Sequence, residues 1–303
     1  MTRRVAVVGA PSSIGIRPYD DGLERHLNRA PAVLRERGLV SRINAIDLGD
    51  VVPPPYRDFA RPPQQPRNEA EVLAYSRALA DRVRAAKSGR FCLVLGGDCS
   101  IVLGCLLGAR HKAGDAIGLV YVDAHADFAT PEESRTGSVA SMCLAMAVGR
   151  GDTALARLGG APPLVDPQHV AIVGRRDDHE WYGSSALLEL GVVDLPDARL
   201  HSGSPLNVAA AALAPVTAPG VRGFWIQLDA DVINPVAMPA VDSPEPGGLM
   251  PDGLALILKP LVQHPQALGL SLTIYDPALD PDRSCARKLV HLLETLLASA
   301  TTD

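Results

Sequence analysis

Residues 117–127 read IGLVYVDAHAD and residues 223–231 read GFWIQLDAD, and these two stretches decide the fold. In each stretch, an apolar run leads directly into side chains that bind metal ions. Such runs are typical of strands buried on both faces of a parallel sheet. Polar side chains that follow them lie at the carboxyl edge of the sheet, in the crevice where α/β enzymes bind ligands. The candidate metal ligands at this edge are Asp123, His125, Asp127, Asp229 and Asp231.

The composition of this set predicts a cation. Four carboxylates and one imidazole that converge at one edge of a sheet repel one another, and a bound divalent cation, or a pair of them, would stabilise the cluster. The two stretches therefore predict a metallohydrolase.

The rest of the chain alternates between strand and helix patterns, which indicates an α/β protein with seven or eight parallel strands and helices on both faces. No linker divides the pattern, so one domain is expected over residues 1–303. Further strands are expected at residues 5–8, 41–47, 91–95, 169–173, 192–195 and 268–274. Helices are expected at residues 23–37, 69–87, 100–109, 138–149, around 186, 206–213, 251–262 and 283–298. The proline-rich stretch 51–67 is expected to be a loop.

Composition excludes several functional classes. The chain has 303 residues, of which 47% are hydrophobic and 21% charged, with a formal net charge of −5. This charge provides no basic surface for nucleic acid and no polybasic membrane anchor. No apolar stretch reaches the ~20 residues that a membrane span requires. The first residues lead into a strand pattern and not into a signal peptide, and the five scattered cysteines indicate reduced thiols, so a cytoplasmic protein is expected.

Four ordered motifs resemble those of the arginase/agmatinase (ureohydrolase) family, and they extend over nearly the whole chain. A fifth segment, Arg29–Arg35 (RAPAVLR), is similar to the first helix of that family. The four motifs are Gly96–Ser100 (GGDCS), Asp123–Asp127 (DAHAD), Asp229–Pro235 (DADVINP) and Ser243–Gly248 (SPEPGG).

The resemblance implies a three-layer α/β/α fold with a mostly parallel sheet of about eight strands. It also implies two Mn²⁺ ions per chain, bridged by hydroxide, that hydrolyse a guanidino or amidino C–N bond in a small molecule and commonly release urea. Asp123 and Asp229 would bridge the two metals, Cys99 and Asp127 would complete one metal site, and His125 and Asp231 the other. Asp127 would also be catalytic. Family members are often trimers or hexamers, so a homo-oligomer is possible.

Cys99 departs from the family pattern, which has His at this position. A thiolate is softer than an imidazole and is negatively charged, so it favours Zn²⁺ or Fe²⁺ over Mn²⁺. The hypothesis is that Cys99 alters or weakens one metal site. The hydroxyarginine-hydrolysing branch of the family is similar in carrying a His-to-Cys replacement, so Cys99 does not by itself indicate an inactive protein.

Two further departures concern proton transfer and charge. Ala140 stands where arginases have a His that shuttles protons, so another residue such as His179 would have to replace it. Asp276 is expected to replace a Glu that pairs with the guanidinium group, which makes it a candidate catalytic and substrate-binding residue. Because Asp is one methylene shorter than Glu, the cationic group would have to sit deeper or be smaller.

The positions that would bind the amino-acid end of arginine are also changed. Ala129 and Ser138 each replace an amide, and His179 stands where a carboxylate is expected. A site built to hydrogen-bond a polar group loses much affinity when the matching group is missing. We therefore expect a substrate other than plain L-arginine, such as a modified arginine or a decarboxylated analogue, with Ser138, His179 and Ser243 as candidate binding residues.

Two other functions compete with this hypothesis. One keeps the class and changes the bond to a formimino or acyl amide group, with one metal bound. The other is a catalytically silent metal-binding protein, which Cys99, Ala140 and Asp276 would favour. The intact set of ligands argues against it, because closely spaced carboxylates are unfavourable without a cation.

Overall fold

The computed structural model describes residues 3–57, 61–62, 64–110, 112, 114–160, 163–177 and 184–297. Within them, eight strands form one sheet in the order β2-β1-β3-β8-β7-β4-β5-β6, and all the pairings are parallel. The predicted α/β class and the eight strands are confirmed, and this sheet is parallel throughout, not mostly parallel. The strands are β1 (Val5–Ala10), β2 (Ile46–Asp50), β3 (Phe91–Gly96), β4 (Gly118–Val122), β5 (Val170–Val173), β6 (Val193–Leu195), β7 (Phe224–Asp229) and β8 (Ala267–Thr273).

Burial explains why the strands could be recognised in the sequence. Every residue of β1, β3, β4 and β7 is buried. A strand covered by helices on both faces has no solvent side, so its sequence is continuously apolar. The edge strand β2 is largely exposed and lacks this signal.

Helices form the two outer layers of the α/β/α arrangement. In one group, α3 packs on α4 and α4 packs on α5, while in the other α8, α9 and α10 pack side by side and α10 contacts α1 and α2. None of the helices in the described part of the chain has both the length and the apolar character needed to cross a membrane. The helices are α1 (Ala30–Glu36), α2 (Leu39–Arg42), α3 (Glu69–Ala86), α4 (Ile101–Ala109), α5 (Cys143–Ala147), α6 (Ser184–Glu189), α7 (Asp197–Ser202), α8 (Pro205–Val216), α9 (Pro251–Gln263) and α10 (Ser284–Leu297).

The segment between β1 and β2 differs from the prediction. The helix expected over 23–37 is a 3₁₀ turn at Leu27–Arg29 followed by the shorter α1. The strand expected at 41–47 is wrong in its first part, because residues 41–42 belong to α2, residues 43–44 form a turn and β2 begins only at Ile46. Left-handed residues at both ends of α2, Gly38 (φ 82°) and Asn44 (φ 48°), turn the chain before the strand can start.

Two other helical segments also differ. The expected helix 138–149 is a 3₁₀ turn, Val139–Met142, followed by α5. The short helix α7 was not expected from the sequence. Only Leu200 of α7 is buried, so its sequence has no apolar periodicity to detect.

The strand order creates a crevice at the centre of the sheet. Although β3 and β4 are consecutive in the chain, β8 and β7 lie between them. The carboxyl ends of these four central strands therefore meet where the direction of winding changes, which is the usual ligand position in open α/β sheets.

Gly97 holds three chain segments together beside this crevice. Its carbonyl accepts a hydrogen bond from the N–H of Ile274 (2.9 Å), and the N–H of Asp98 donates to Ser12 O (3.1 Å). A Cβ atom at Gly97 would lie 1.9 Å from Ser12 O, a distance that no side chain can adopt.

We therefore expect Gly97→Ala to lower the free energy of unfolding by about 1–3 kcal/mol, because backbone must move to accept the methyl group. The control is Gly253→Ala in α9, where the nearest atom to an added Cβ is 3.8 Å away. That substitution should leave stability unchanged or raise it by up to about 1 kcal/mol. Urea unfolding of both variants measures the difference, and equal stabilities would contradict the close packing at Gly97.

Candidate metal centre

The register of the sheet brings the two metal-binding stretches side by side. Val122 of β4 pairs with Leu228 of β7, so Asp123 and Asp229 follow at the same level of adjacent strands. Cys99 comes from the turn after β3, three residues beyond Gly96. The six predicted ligands thus lie at the carboxyl ends of β3, β4 and β7, three of the four central strands.

Two overlapping groups of side chains could each hold a metal ion. Within each group, the three ligand atoms lie within 4.8 Å of one another. One group consists of Cys99, Asp123 and Asp127, and the other of Asp123, His125 and Asp231. Asp123 belongs to both groups, as a residue shared by two metals would. Asp229 adjoins the first group through its Oδ2 atom, which accepts a hydrogen bond from Cys99 Sγ at 2.9 Å.

Asp123 and Asp229 are each held in the same local way. Asp123 Oδ1 accepts the N–H of His125 (2.7 Å), and Asp229 Oδ1 accepts the N–H of Asp231 (2.9 Å). This turn, in which an Asp side chain bonds the backbone two residues later, is a common use of aspartate after a strand. It fixes one oxygen of each carboxylate and leaves the other directed at the cluster.

Asp127 and His125 are also oriented by neighbours. Asp127 has a left-handed backbone (φ 48°), uncommon for a non-glycine residue, and its Oδ2 accepts a hydrogen bond from the Tyr121 hydroxyl at 2.6 Å. His125 Nδ1 lies 2.9 Å from Asp231 Oδ2 and 3.6 Å from Asp123 Oδ1. The imidazole therefore presents Nδ1 to the carboxylates.

Burial and mutual repulsion strongly perturb these groups. Burial, followed by the neighbouring carboxylates, raises the pKa of Asp123 and of Asp229 well above its ordinary value. Burial also raises the pKa of Asp127 to about 7. For Asp231, burial acts to raise the pKa, but the adjacent His125 imidazolium outweighs it and the pKa falls. Burial and the charge of Asp229 raise the pKa of the Cys99 thiol well above normal.

The donor set fits divalent cations. Among the described residues, Asp123 Oδ2 is buried and has no hydrogen-bond partner although it points into the cluster. A buried acceptor without a donor is unfavourable, and a cation would satisfy it. Carboxylate oxygens with one imidazole suit Mn²⁺ or Mg²⁺, while the Cys99 sulfur adds preference for Zn²⁺ or Fe²⁺.

A cavity of about 260 Å³ opens above the cluster. Ser138, Ala140 and Ser243 line it, so three positions singled out in the sequence do face the metal ligands. Ser138 Oγ accepts the N–H of Arg17 at 3.2 Å, and Ser243 Oγ donates to Asp242 Oδ2 at 3.0 Å. Both hydroxyls thus lie where a substrate would contact them.

Asp276 does not line this cavity. It is 1% exposed, its Oδ2 accepts the N–H of His26 (3.0 Å) and its Oδ1 accepts the N–H of Ala278 (2.8 Å). Ile274 lines the cavity instead, because a left-handed conformation at Ile274 (φ 67°) turns the chain directly after β8. The Asp276 carboxylate caps the turn at Pro277–Leu279, and its role toward a cationic group of a substrate stays a prediction.

His179 lies outside the described residues. Nearby in sequence, Asp177 Oδ2 accepts the N–H of Ala126 at 3.1 Å and is held by Arg175 at 3.0 Å. This hydrogen bond to Ala126 therefore fixes the backbone between His125 and Asp127.

Sequence reasoning missed two residues at the site. Glu245 Oε1 lies 3.7 Å from His125 Nε2, and the signal for it was its place within the SPEPGG motif. Tyr121, which donates to Asp127, had no signal, because it lies within the continuous apolar run of a buried strand.

The fold and the site together define an α/β protein with a cluster of candidate metal ligands at the carboxyl edge of a parallel sheet. Comparison with known proteins narrows this class. A profile of the arginase family matches residues 3–298, and the chain belongs to that family. Members are hydrolases that act on C–N bonds in linear amidines, the enzyme class that the sequence predicted.

Similar proteins extend over the full length. The arginase of Bacillus subtilis (strain 168) is 29% identical over 304 residues, which cover 98% of this chain and 98% of that protein. The native structure of Bacillus caldovelox arginase at pH 5.6 has a TM-score of 0.87 and 27% identity, covering 99% of this chain and all of the other. The crystal structure of Bacillus cereus arginase has a TM-score of 0.85 and 27% identity, with the same coverage.

Metal binding should become more stabilising as the pH rises. The pKa of Asp127 in the folded state, about 7, exceeds its ordinary value of 3.8, so between these values the folded, metal-free protein holds a proton that the unfolded chain has lost. Its stability therefore falls as the pH rises through this window, whereas a metal replaces the proton. The difference in melting temperature between Mn²⁺-loaded and metal-free protein should increase from about pH 5 to about pH 8. Asp127→Asn should flatten the increase, and a difference that shrinks with pH would contradict this electrostatic account.

Cys99 should act as a thiolate ligand when Co²⁺ replaces the native metal. We expect a sulfur-to-Co²⁺ charge-transfer absorption in the wild-type protein and its loss in Cys99→Ser. Cys285→Ser is the control, because Cys285 is equally buried and lies in α10, outside the ligand groups. An unchanged spectrum in Cys99→Ser would show that the thiol does not bind the metal.

Proposed function

We propose that this protein is a metal-dependent hydrolase that cleaves a guanidino or amidino C–N bond and releases urea or a urea derivative. The observation that carries the proposal is the buried cluster around Asp123, a residue shared by two groups of ligand atoms. The family membership of the chain supports it.

Six side chains would hold two divalent cations, with Mn²⁺ as the native metal or with Zn²⁺ or Fe²⁺ on the Cys99 side. Asp123 and Asp229 would be shared, Cys99 and Asp127 would complete one site, and His125 and Asp231 the other. When bound, the cations would activate water and stabilise the negative charge that develops during attack.

Asp127 is the candidate general base. Its carboxylate lines the cavity beside the other candidate ligands, within reach of an attacking water from which it could take a proton. The Tyr121 hydroxyl donates to Asp127 Oδ2 and holds the carboxylate in this orientation. The leaving amine needs a proton from elsewhere, because Ala140 carries none, and His179 is our candidate for that role.

The charge of the cavity bears on the substrate. Besides the metal ligands, its lining contains two carboxylates, and each is already paired: Asp20 with Arg17 and Asp242 with Arg25. Ile274 adds an apolar wall. Among the described lining residues, no carboxylate outside the ligand set is therefore left without an arginine partner. The preference for a modified arginine, an agmatine-type compound or a guanidino acid over plain L-arginine rests on the changed positions Ala129, Ser138 and His179.

The pairing of these lining carboxylates favours a second candidate, hydrolysis of a formimino or acyl amide group. An acyl amide carries no positive charge at the scissile carbon and needs no carboxylate partner there. Hydrolysis of either group yields no urea, so product analysis separates the two candidates.

We also propose a cytoplasmic homo-oligomer, a trimer or a hexamer. The five cysteines are free and buried, which suits a reducing compartment. Exposed apolar side chains such as Val236 (86% exposed) and Leu206 (67%) support contacts between subunits.

A panel of guanidino and formimino compounds, assayed for urea and for formamide after Mn²⁺ or Zn²⁺ loading, tests the proposed function. We expect urea from at least one compound, and Asp231→Asn should lower the rate by at least about 100-fold because it removes a ligand. Asp252→Asn is the matched control, since Asp252 is exposed at the start of α9. Formamide without urea would select the second candidate, and no turnover by metal-loaded protein would indicate a silent metal-binding homologue.

A further inference from the structure

A line of buried polar side chains crosses the middle of the sheet and ends at a metal ligand. Every member is at most 1% exposed, although the surrounding core is apolar. We call the line the β7–β8 relay, and its members are Trp225, Ser271, Gln227, Thr273 and Asp229.

Strand geometry places the relay on one face of the sheet. Trp225, Gln227 and Asp229 are alternate residues of β7, so their side chains point to the same side. Ser271 and Thr273 are alternate residues of β8, and the register pairs them with Gln227 and Asp229. The line therefore passes back and forth between two adjacent strands.

The structure gives a direction to each hydrogen bond in the first half. The indole N–H of Trp225 can only donate, and it donates to Ser271 Oγ at 2.9 Å. Ser271 then gives its own proton to Gln227 Oε1. Because the carbonyl oxygen of the Gln227 amide faces Ser271, its NH₂ group must face the other way.

The second half follows from that orientation. Gln227 Nε2 donates to Thr273 Oγ1 at 2.7 Å, so the single proton of the Thr273 hydroxyl is free to be donated onward. Asp229 Oδ2 lies 3.2 Å from Thr273 Oγ1 and accepts it. The relay thus presents a donor of fixed direction to a metal-binding carboxylate.

Energetics argue that the relay serves the site. Burying amide and hydroxyl groups in a sheet core is unfavourable unless every group is hydrogen-bonded, and valine or isoleucine would satisfy these strand positions more simply. With the relay, both oxygens of Asp229 accept hydrogen bonds from the protein, Oδ1 from the N–H of Asp231 and Oδ2 from Thr273 as well as from Cys99 Sγ. Asp123 has no such donor at its Oδ2.

We propose that Thr273 and Gln227 are positioning residues for the metal centre: they hold Asp229 in its ligand orientation before the metal arrives. This inference rests on the metal site of the proposed function. It is independent of which compound is hydrolysed, because the relay acts on metal affinity.

The test compares Thr273→Val, which keeps the shape of the side chain and removes the donor, with Thr273→Ser, which keeps the donor. We expect Mn²⁺ to bind about 10–100-fold more weakly to Thr273→Val and with near wild-type affinity to Thr273→Ser. Affinity is measured without substrate, by competition with a chelator. The melting temperature of each metal-free variant is recorded in parallel, since a merely structural role would lower it and leave affinity unchanged.

Gln227→Met provides a second arm. It should weaken Mn²⁺ binding less than Thr273→Val, because Thr273 keeps its hydroxyl but loses its fixed direction. The double variant should bind no more weakly than Thr273→Val alone, since both substitutions remove the same hydrogen bond. The relay would be overturned if Thr273→Val bound Mn²⁺ with wild-type affinity, or if the losses of Mn²⁺ affinity from the two substitutions added up in the double variant. Either result would leave the proposed function unaffected. A wild-type protein that binds no divalent cation would overturn both.

Discussion

Repulsion among buried carboxylates is the constraint on which this structure depends. Asp123, Asp127, Asp229 and Asp231 meet inside the protein, where little water can screen their charges. Burial and neighbouring charge keep the pKa of three of them high, while the His125 imidazolium lowers that of Asp231. Such a cluster is stable inside the protein only when bound protons or bound cations neutralise part of its negative charge. Protons and cations therefore compete for the same carboxylates. Metal binding, pH and stability are therefore linked in this protein.

The scaffold meets this constraint by fixing each acid before any cation binds. The parallel register places Asp123 and Asp229 at the same level of adjacent strands. One oxygen of each carboxylate accepts a hydrogen bond from the backbone N–H of the residue two positions later. Two hydroxyl groups of the core donate hydrogen bonds to these acids, Tyr121 to Asp127 and Thr273 to Asp229. Rigid strands provide these donors, and rigid support is what a precise metal geometry requires.

Two departures from the arginase pattern, Cys99 and Ala140, lie in one cavity, which Ile274 also lines. Ala140 carries no proton, Ile274 is apolar and the Cys99 sulfur is a softer donor than an imidazole, while the acids of the candidate ligand set stay in place. Such a cavity keeps the candidate metal ligands and changes what a substrate would contact. This pattern favours altered specificity over loss of activity.

The sequence by itself determined the buried strands and placed the candidate ligands at their carboxyl ends, because buried parallel strands are continuously apolar and polar side chains follow them. DAHAD and DADVINP could therefore be assigned to one edge of a sheet, and their arrangement there follows from parallel register alone. Other features required the tertiary structure. A left-handed turn brings Ile274 to the cavity and lets the Asp276 carboxylate cap the next turn, and no local pattern marks such a turn in a β-branched residue. Tyr121, Gln227 and Thr273 could not be found either, since their partners come from other strands or later turns, and only the pairing of those elements decides what a buried polar side chain contacts.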